Sequence, residues 1–437
     1  MLLRAAPPST IHFMSSALPS YDEAAAQVAA YAARLAPGAG QRQLAVERVE
    51  LSQACGRVLA RPLCADRDQP PFSRSARDGF ACRASEAGTH KPLQIAGATR
   101  AGDAPSGPLP PGSAWEIMTG APVPAGADTV VMVEHVESAS GVVRLLPPHN
   151  VSAGENIVVQ GAQAHAGDEL LKAGTEIQPA QVALAAGCGH AVVEVFARPR
   201  VAILATGDEL VPVASTPGPG QIRNSNGPML AAMVEAAGGE PWLLPIVADD
   251  NAILDKAIAL ALDADLLLVS GGVSAGKFDL VEPALERAGA RFHFTGVRIQ
   301  PGKPTVFGDF GRAETSEAVC RTQCAFFGLP GNPVSSAVTF LLFASPVLAA
   351  LAGKLHHGPR FALAVLDGDV KAKPGLTRFL PATCTFSAVH GQLPQVSLVR
   401  SEGSGDLAAL ARSNCFLVLT EDAKRLEAGQ TVRILLP

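Results

Sequence analysis

The residues of this sequence that could do chemistry cluster where apolar runs end. In LLLVSGGVSAGKFD, spanning Leu266 to Asp279, a run of aliphatics gives way to glycines, serines, a lysine and an aspartate. The spacing of Gly271, Gly276 and Lys277 satisfies the glycine–lysine part of a P-loop, but Phe278 stands where Ser or Thr must ligate magnesium. A second reading keeps the phosphate and discards the P-loop. Gly271 and Gly272 let the backbone approach a phosphate, and Asp279 supplies an oxygen to a hard cation bridging it. The plain alternative is that the glycines turn the chain and Asp279 caps the next helix. VAILATGDEL sets Asp208 and Glu209 beyond another apolar run, and CAFFGLPGNPVSSAV sets Gly331 and Asn332 at the mouth of a helix. There Asn332 suits the N-cap and Pro333 the first helical position. The free N–H groups of such a start favour an anion. In VRIQPGKPTVFG, Lys303 sits in a Pro-Gly-Lys-Pro corner. It reads as a preorganised cation for an oxyanion, or simply as a solvated loop lysine.

The elements that must position these turns are legible from periodicity. VAILAT, PWLLPIV, DLLLVS and CAFFGL are continuous apolar runs of the kind buried on both sheet faces. Between them MLAAMVEAAGG, NAILDKAIALAL and LVEPALERAGA have helical spacing. This alternation predicts a doubly wound, mostly parallel α/β sheet over residues 198–355, with ligands beyond the carboxyl ends of its strands. Upstream, YDEAAAQVAAYAARLA and LSQACGRVLA read as helices, and AQVALAAGCGH as another ending on glycines. Residues 21–66 with 162–197 therefore form an expected helical linker segment. Residues 67–161, rich in Pro, Gly and short β-branched runs, read as a β-rich domain. FALAVLDGDV, QVSLV, CFLVLT and TVRILLP place a small β domain over 356–437.

Composition narrows the function classes. A chain of 437 residues is expected to hold roughly two to four domains. With 48% apolar and 17% charged residues it reads as globular, and a net charge of −5 argues against nucleic acid as a partner. The 8 cysteines include no CxxC pair, and the closest two, Cys320 and Cys324, lack zinc-ligand spacing, so reduced core thiols are expected. The first 20 residues read as a disordered leader with Met14 as an alternative start. The apolar window SAVTFLLFASPVLAALAG, with its internal Pro346, reads as a buried helix and not a membrane span. A cytoplasmic location is expected.

Taken together, PPFSRSARDGFA (Pro70 to Ala81), EIMTGAPVPAGADTVVMVE (Glu116 to Glu134), ATGDEL, SGGVSAGKFD, PGKP and GLPGNPVS resemble, in order and spacing, the molybdopterin molybdenumtransferases, the MoeA/gephyrin E-domain family. The resemblance runs from about Tyr21 to the C-terminus. It implies a homodimer whose elongated subunit has a helical segment, a β-rich domain, an α/β molybdopterin-binding domain and a C-terminal β-barrel domain. The implied reaction inserts molybdenum from molybdate into adenylylated molybdopterin, with Mg2+-dependent hydrolysis and release of AMP. The implied partners are a molybdopterin adenylyltransferase and acceptor molybdoenzymes or cofactor-maturation proteins. The catalytic set it implies is Asp78, Thr119, Glu209, Asp279 and Lys303, with Glu209 and Asp279 on the metal. The binding set is Gly120, Thr206, Gly207, Asp208, Asp249, Ser270, Gly271, Gly272, Ser274, Pro301, Gly302, Pro330, Gly331, Asn332, Pro333, Arg378, Ser404 and Gly405. Asp78 would orient the attacking water, reaching the site with Thr119 from the partner's β-rich domain. Asp249 is either a further carboxylate of the site or a helix N-cap beside Asp250, and Thr119 with Gly120 is otherwise a simple turn.

The sequence departs from the family's pattern where cations are usual. NIVVQGAQ (Asn156 to Gln163) replaces the common NIRRxGED, Gln300 replaces the first lysine of the PGK corner, and Leu376 replaces the arginine of PGR. Another enzyme on the same α/β domain, such as a molybdopterin adenylyltransferase or a nicotinamide-nucleotide amidohydrolase, would not need the DGFA and MTGAPVP motifs. A non-catalytic molybdopterin-binding scaffold or a weakly active paralogue is the reading from a different class.

Overall fold

The computed structural model describes residues 18–37, 44–104, 107–272, 280–311, 324–385 and 391–437. The chain forms two compact units. One comprises Met1–Glu47, Gly56–Val58 and Phe196–Pro437, and the other Arg48–Cys55 and Leu59–Val195.

Helix α1 (Tyr21–Leu35) opens the first unit. Ser20 accepts from the Glu23 N–H while the Glu23 carboxylate accepts from the Ser20 N–H, a reciprocal cap that starts the helix. Tyr21, Ala24, Val28, Tyr31 and Leu35 form its buried stripe. Tyr21 packs against Phe343, Phe361 and Phe379, and Tyr31 against Phe307.

The second unit is built on six strands, β1 (Gly79–Cys82), β2 (Leu93–Thr99), β3 (Ser113–Ile117), β4 (Thr129–Met132), β5 (Val136–Ala139) and β6 (Val142–Leu145). They pair in the order β4-β1-β3-β2-β6-β5, with only β2 and β3 parallel. Phe80, Leu93, Val131 and Val143 fill one face. The unit also holds α2 (Pro179–Gly187), ended at Gly189 with φ +78°.

The first unit also contains the α/β layer. In chain order it runs β7 (Arg200–Ala205), α3 (Asn226–Ala237), β8 (Glu240–Leu243), α4 (Asn251–Ala261), β9 (Leu266–Ser270), α5 (Val281–Arg287), β10 (Ala290–Thr295), β11 (Ile299–Gln300), β12 (Val306–Phe310), β13 (Ala325–Leu329) and the long helix α6 (Pro333–Leu351). The sheet order is β8-β7-β9-β13-β12-β10. Alternate side chains of one strand serve opposite cores. Val201 and Ile203 pack with α1, α3 and α6 residues, whereas Ala202 and Leu204 pack with Leu254 and Ile258 of α4. That two-sided burial explains the continuous apolar runs. The strands β8, β7, β9 and β13 are parallel, while β12 and β10 are antiparallel. ARFHFT and VFGDF carry polar residues and went unread as strands. Asp309, fully buried, is satisfied by Arg291 and by His293 Nε2 at 2.8 Å.

The C-terminal strands β14 (Phe361–Leu366), β15 (Thr377–Thr385), β16 (Gln395–Leu398), β17 (Cys415–Leu419) and β18 (Thr431–Leu435) close into a ring, β15-β16-β14-β18-β17 and back to β15. Its interior is aliphatic, with Leu366, Val396, Leu417 and Ile434. Helix α7 (Leu407–Arg412) lies between β16 and β17. The doubly wound layer and the barrel agree with the fold class read from the sequence.

One local reading is corrected by the structure. LSQACGRVLA is one 3-10 turn, Leu51–Gln53, because Gly56 follows at φ +78° in a left-handed conformation that a helix cannot continue through. The segments 21–66 and 162–197 contain two α-helices among the described residues, α1 and α2. The aromatic stripe of α1 belongs to the core of the first unit, and between 162 and 197 α2 is the one α-helix among the described residues. The apolar window is α6, 83% buried over its most apolar stretch. A π turn at Phe340–Ala344 accommodates Pro346, which cannot donate an N–H and would crowd the preceding carbonyl.

Candidate active site

Three neighbouring parallel strands, β7, β9 and β13, end side by side, so the turns after them meet. The Thr206 N–H donates to Ser270 O at 3.2 Å, and the Gly271 N–H to Leu329 O at 3.1 Å. Gly271 has φ +98°, and a Cβ there would lie 2.5 Å from Thr206 O, so only glycine fits. Together these turns line a cleft of about 850 Å3 containing Thr206, Gly207, Glu209, Asp249, Ser270, Gly271, Gly272, Pro330, Gly331, Asn332, Pro333 and Gly405. Asp249 is no N-cap. Asp250 caps α4 by accepting from Ile253 N–H, which leaves Asp249 Oδ1 to accept from Thr206 Oγ1 at 2.8 Å. Asp208 is not among the described lining residues of the cleft; its Oδ1 accepts the main-chain N–H of Asp249 at 3.1 Å.

A second cleft of about 910 Å3 adjoins the first, and both are lined by Pro304, Pro330 and Asn332. It holds Pro301, Gly302, Lys303, Arg378, Arg400 and Ser404, and no Asp or Glu among its described lining residues. The pairing of β11 with β15 puts Gln300 opposite Arg378. Arg378 Nε is buried without a hydrogen-bond partner. A buried donor left unpaired is costly unless a ligand or water meets it. Arg400 faces Glu402 at 3.6 Å and is largely exposed. Asn332 occupies the N-cap position of α6, but its side chain is used elsewhere. Nδ2 donates to Ser404 Oγ at 2.9 Å and fastens the strand-end turn to the barrel loop.

In the second unit, the register Gly79↔Ile117 sets Asp78 beside the turn after β3. The Thr119 N–H and Oγ1 both donate to Asp78 Oδ1, at 2.6 and 2.8 Å. These bonds hold the Asp78 carboxyl below the usual carboxylate range, against a smaller opposing desolvation. Gly120 follows at φ +85°, its N–H donating to Ser75 O. Ser274 and Asp279 lie outside the described residues, as does the P-loop-like Lys277.

The sequence reading missed Asn226 and Arg223. Asn226 is 8% exposed; its Nδ2 donates to Ser270 Oγ at 2.9 Å and to Gly331 O at 2.6 Å, tying two of the strand-end turns together. Its Oδ1 is buried and unpaired. The signal was the polar run in QIRNSNGP, where the helix begins at Asn226, three residues before the apolar pattern at Met229.

The model of the MoeA N-terminal region (domains I and II) matches residues 19–189, that of a probable molybdopterin binding domain 202–350, and that of the MoeA C-terminal region (domain IV) 364–436. A molybdopterin molybdenumtransferase of Nostoc sp. is 35% identical over 398 residues, covering 89% of this chain and 88% of that protein. The chain belongs to the MoeA family of molybdopterin molybdenumtransferases. Another relative of that name, from Bacillus subtilis, is 35% identical over 410 residues, covering 91% of each. The crystal structure of a molybdopterin biosynthesis MoeA protein from Pyrococcus horikoshii OT3 superposes with a TM-score of 0.77 at 28% identity, covering 96% of this chain and 100% of that one. MoeA membership makes the chain a transferase of molybdenum cofactor biosynthesis, in agreement with the resemblance drawn from its motifs.

Proposed function

We propose that the chain inserts molybdenum from molybdate into adenylylated molybdopterin, hydrolysing the pyrophosphate link and releasing AMP. The observation that carries this reading is the pair of adjoining clefts with opposite charge, one bearing Glu209 and Asp249, the other Lys303 and Arg378. A ligand crossing the Pro330–Asn332 turn would put its phosphates beside the carboxylates and an oxyanion beside the cations. Lys303 and Arg378 line the second cleft, and the buried, unpartnered Nε of Arg378 supports a role in holding molybdate.

Glu209 and Asp249 fit a Mg2+ ion, since this ion is usually held by one or two carboxylates plus the substrate's phosphates. When bound, it would supply charge neutralisation to the pyrophosphate. Asp279, outside the described residues, stays a proposed further ligand. Asp78, held ionised by Thr119, is suited to accepting a hydrogen bond from water more than to taking a proton at neutral pH. Water adds to the adenylyl phosphorus, the P–O–P bond breaks with its electron pair going to the molybdopterin phosphate, the water's proton passes to solvent, and AMP is released. We assign Asp78 and Thr119 to the site of the partner in a homodimer, fed by an adenylyltransferase and emptied by acceptor molybdoenzymes or maturation proteins.

Incubation with adenylylated molybdopterin, molybdate and Mg2+ tests the reading. AMP is expected to appear in step with molybdopterin-bound molybdenum. Unaltered ligand retained on the protein, with no AMP, overturns it in favour of a scaffold.

A further inference from the structure

The acid-bearing cleft must hold phosphates, yet Glu209 and Asp249 repel them. Among its described lining residues one Lys or Arg occurs, Arg223. We propose that Arg223 is the residue that receives the phosphate of the adenylyl end, an inference that rests on the insertase reading above.

The geometry around Arg223 prepares it for that task. Leu210–Val211 and Ile222–Arg223 pair as short parallel strands, so the arginine is fixed relative to the turn after β7. The Ile222 N–H donates to Glu209 O at 2.8 Å, and the Asn224 N–H to Val211 O at 2.9 Å. The cation is thereby coupled through the main chain to the carboxylate it must offset. Its side chain is held as well. Arg223 Nε donates to Val213 O and to Ser215 O, both at 3.0 Å. Those bonds consume one N–H of the guanidinium and restrict its plane. The two terminal nitrogens have no hydrogen bond or ion pair among the described residues. Arg223 lines the cleft, and a planar fork with two terminal nitrogens left over can match two phosphate oxygens at once, which an ammonium cannot do. Because the plane is already restricted, little freedom remains to be lost on binding.

Two roles are separable. If Arg223 only supports the loop that carries Val213 and Ser215, its loss disturbs the whole cleft. If it binds phosphate, its loss is felt by a phosphorylated ligand and not by the bare nucleoside. Calorimetric binding of AMP and of adenosine to the full chain, to Arg223→Gln and to Arg223→Lys distinguishes them. The expected result is AMP affinity reduced about tenfold to a hundredfold in Arg223→Gln, with adenosine changed by less than about twofold. Arg223→Lys should lie between, keeping charge but losing the fork. Equal weakening of both ligands, or unchanged AMP affinity in Arg223→Gln, overturns the proposal while leaving the insertase reading in place. A wild-type chain that binds no AMP removes both.

Discussion

At the scale of single residues, Asp78 has its ionisation set by one neighbour. Thr119 gives it two hydrogen bonds on the same oxygen, and both favour the charged form. Replacing Thr119 by Val removes the hydroxyl bond and keeps the backbone one. The Asp78 pKa should rise toward the usual carboxylate range, because the charged form has lost a donor. Carbon-detected NMR titration of the Asp78 carboxyl measures this directly. Since the folded pKa is depressed, the ionised carboxylate is lost as pH falls through it. The acid limb of AMP release should therefore move to higher pH in Thr119→Val. The sequence contained both residues within motifs, but their pairing across 41 positions follows from the Gly79↔Ile117 register.

At the scale of elements, the strand-end turns divide into positions that tolerate a side chain and positions that do not. Gly271→Ala meets a backbone oxygen at 2.5 Å and is forced to keep φ +98°. It should lose at least about 1–2 kcal/mol of stability in urea unfolding. Gly331 makes the contrast. A Cβ there would meet nothing closer than Gly271 Cα at 3.7 Å, and its φ is not in the left-handed range, so Gly331→Ala should stay within about 0.5 kcal/mol. The parallel strands that carry these turns were readable as continuous apolar runs because both faces of the layer are covered. The β10–β12 pair was not, since a buried Asp309 and its partners Arg291 and His293 break the apolar pattern and are reconciled only by contact.

At the scale of the whole molecule, the proposed dimer gives a complementation test. If each site takes Asp78 from one subunit and Glu209 from the other, a mixed dimer of Asp78→Ala and Glu209→Ala subunits keeps one intact site. Random mixing in equal amounts should then restore about a quarter of wild-type AMP release. No recovery, with mixed dimers demonstrated, would place both residues in one subunit. The placement of α1 is also a matter of this scale. Its apolar stripe was plain in the sequence, but the surface it covers, with Phe307, Phe343, Phe361 and Phe379, comes from distant parts of the chain.

The sequence by itself determined the family, the alternation of strand and helix, and the turns that follow the strands, because apolar periodicity, glycine and proline act over a few residues. Tertiary structure alone decided which side chains meet. It decided Asp249 for the cleft over the cap, committed Asn332 to Ser404, brought Asn226 between Ser270 and Gly331, and set Arg223 in the lining of the acid-bearing cleft. Those partnerships depend on strand order and register, and residues tens of positions apart carry no local mark of the neighbour they will acquire.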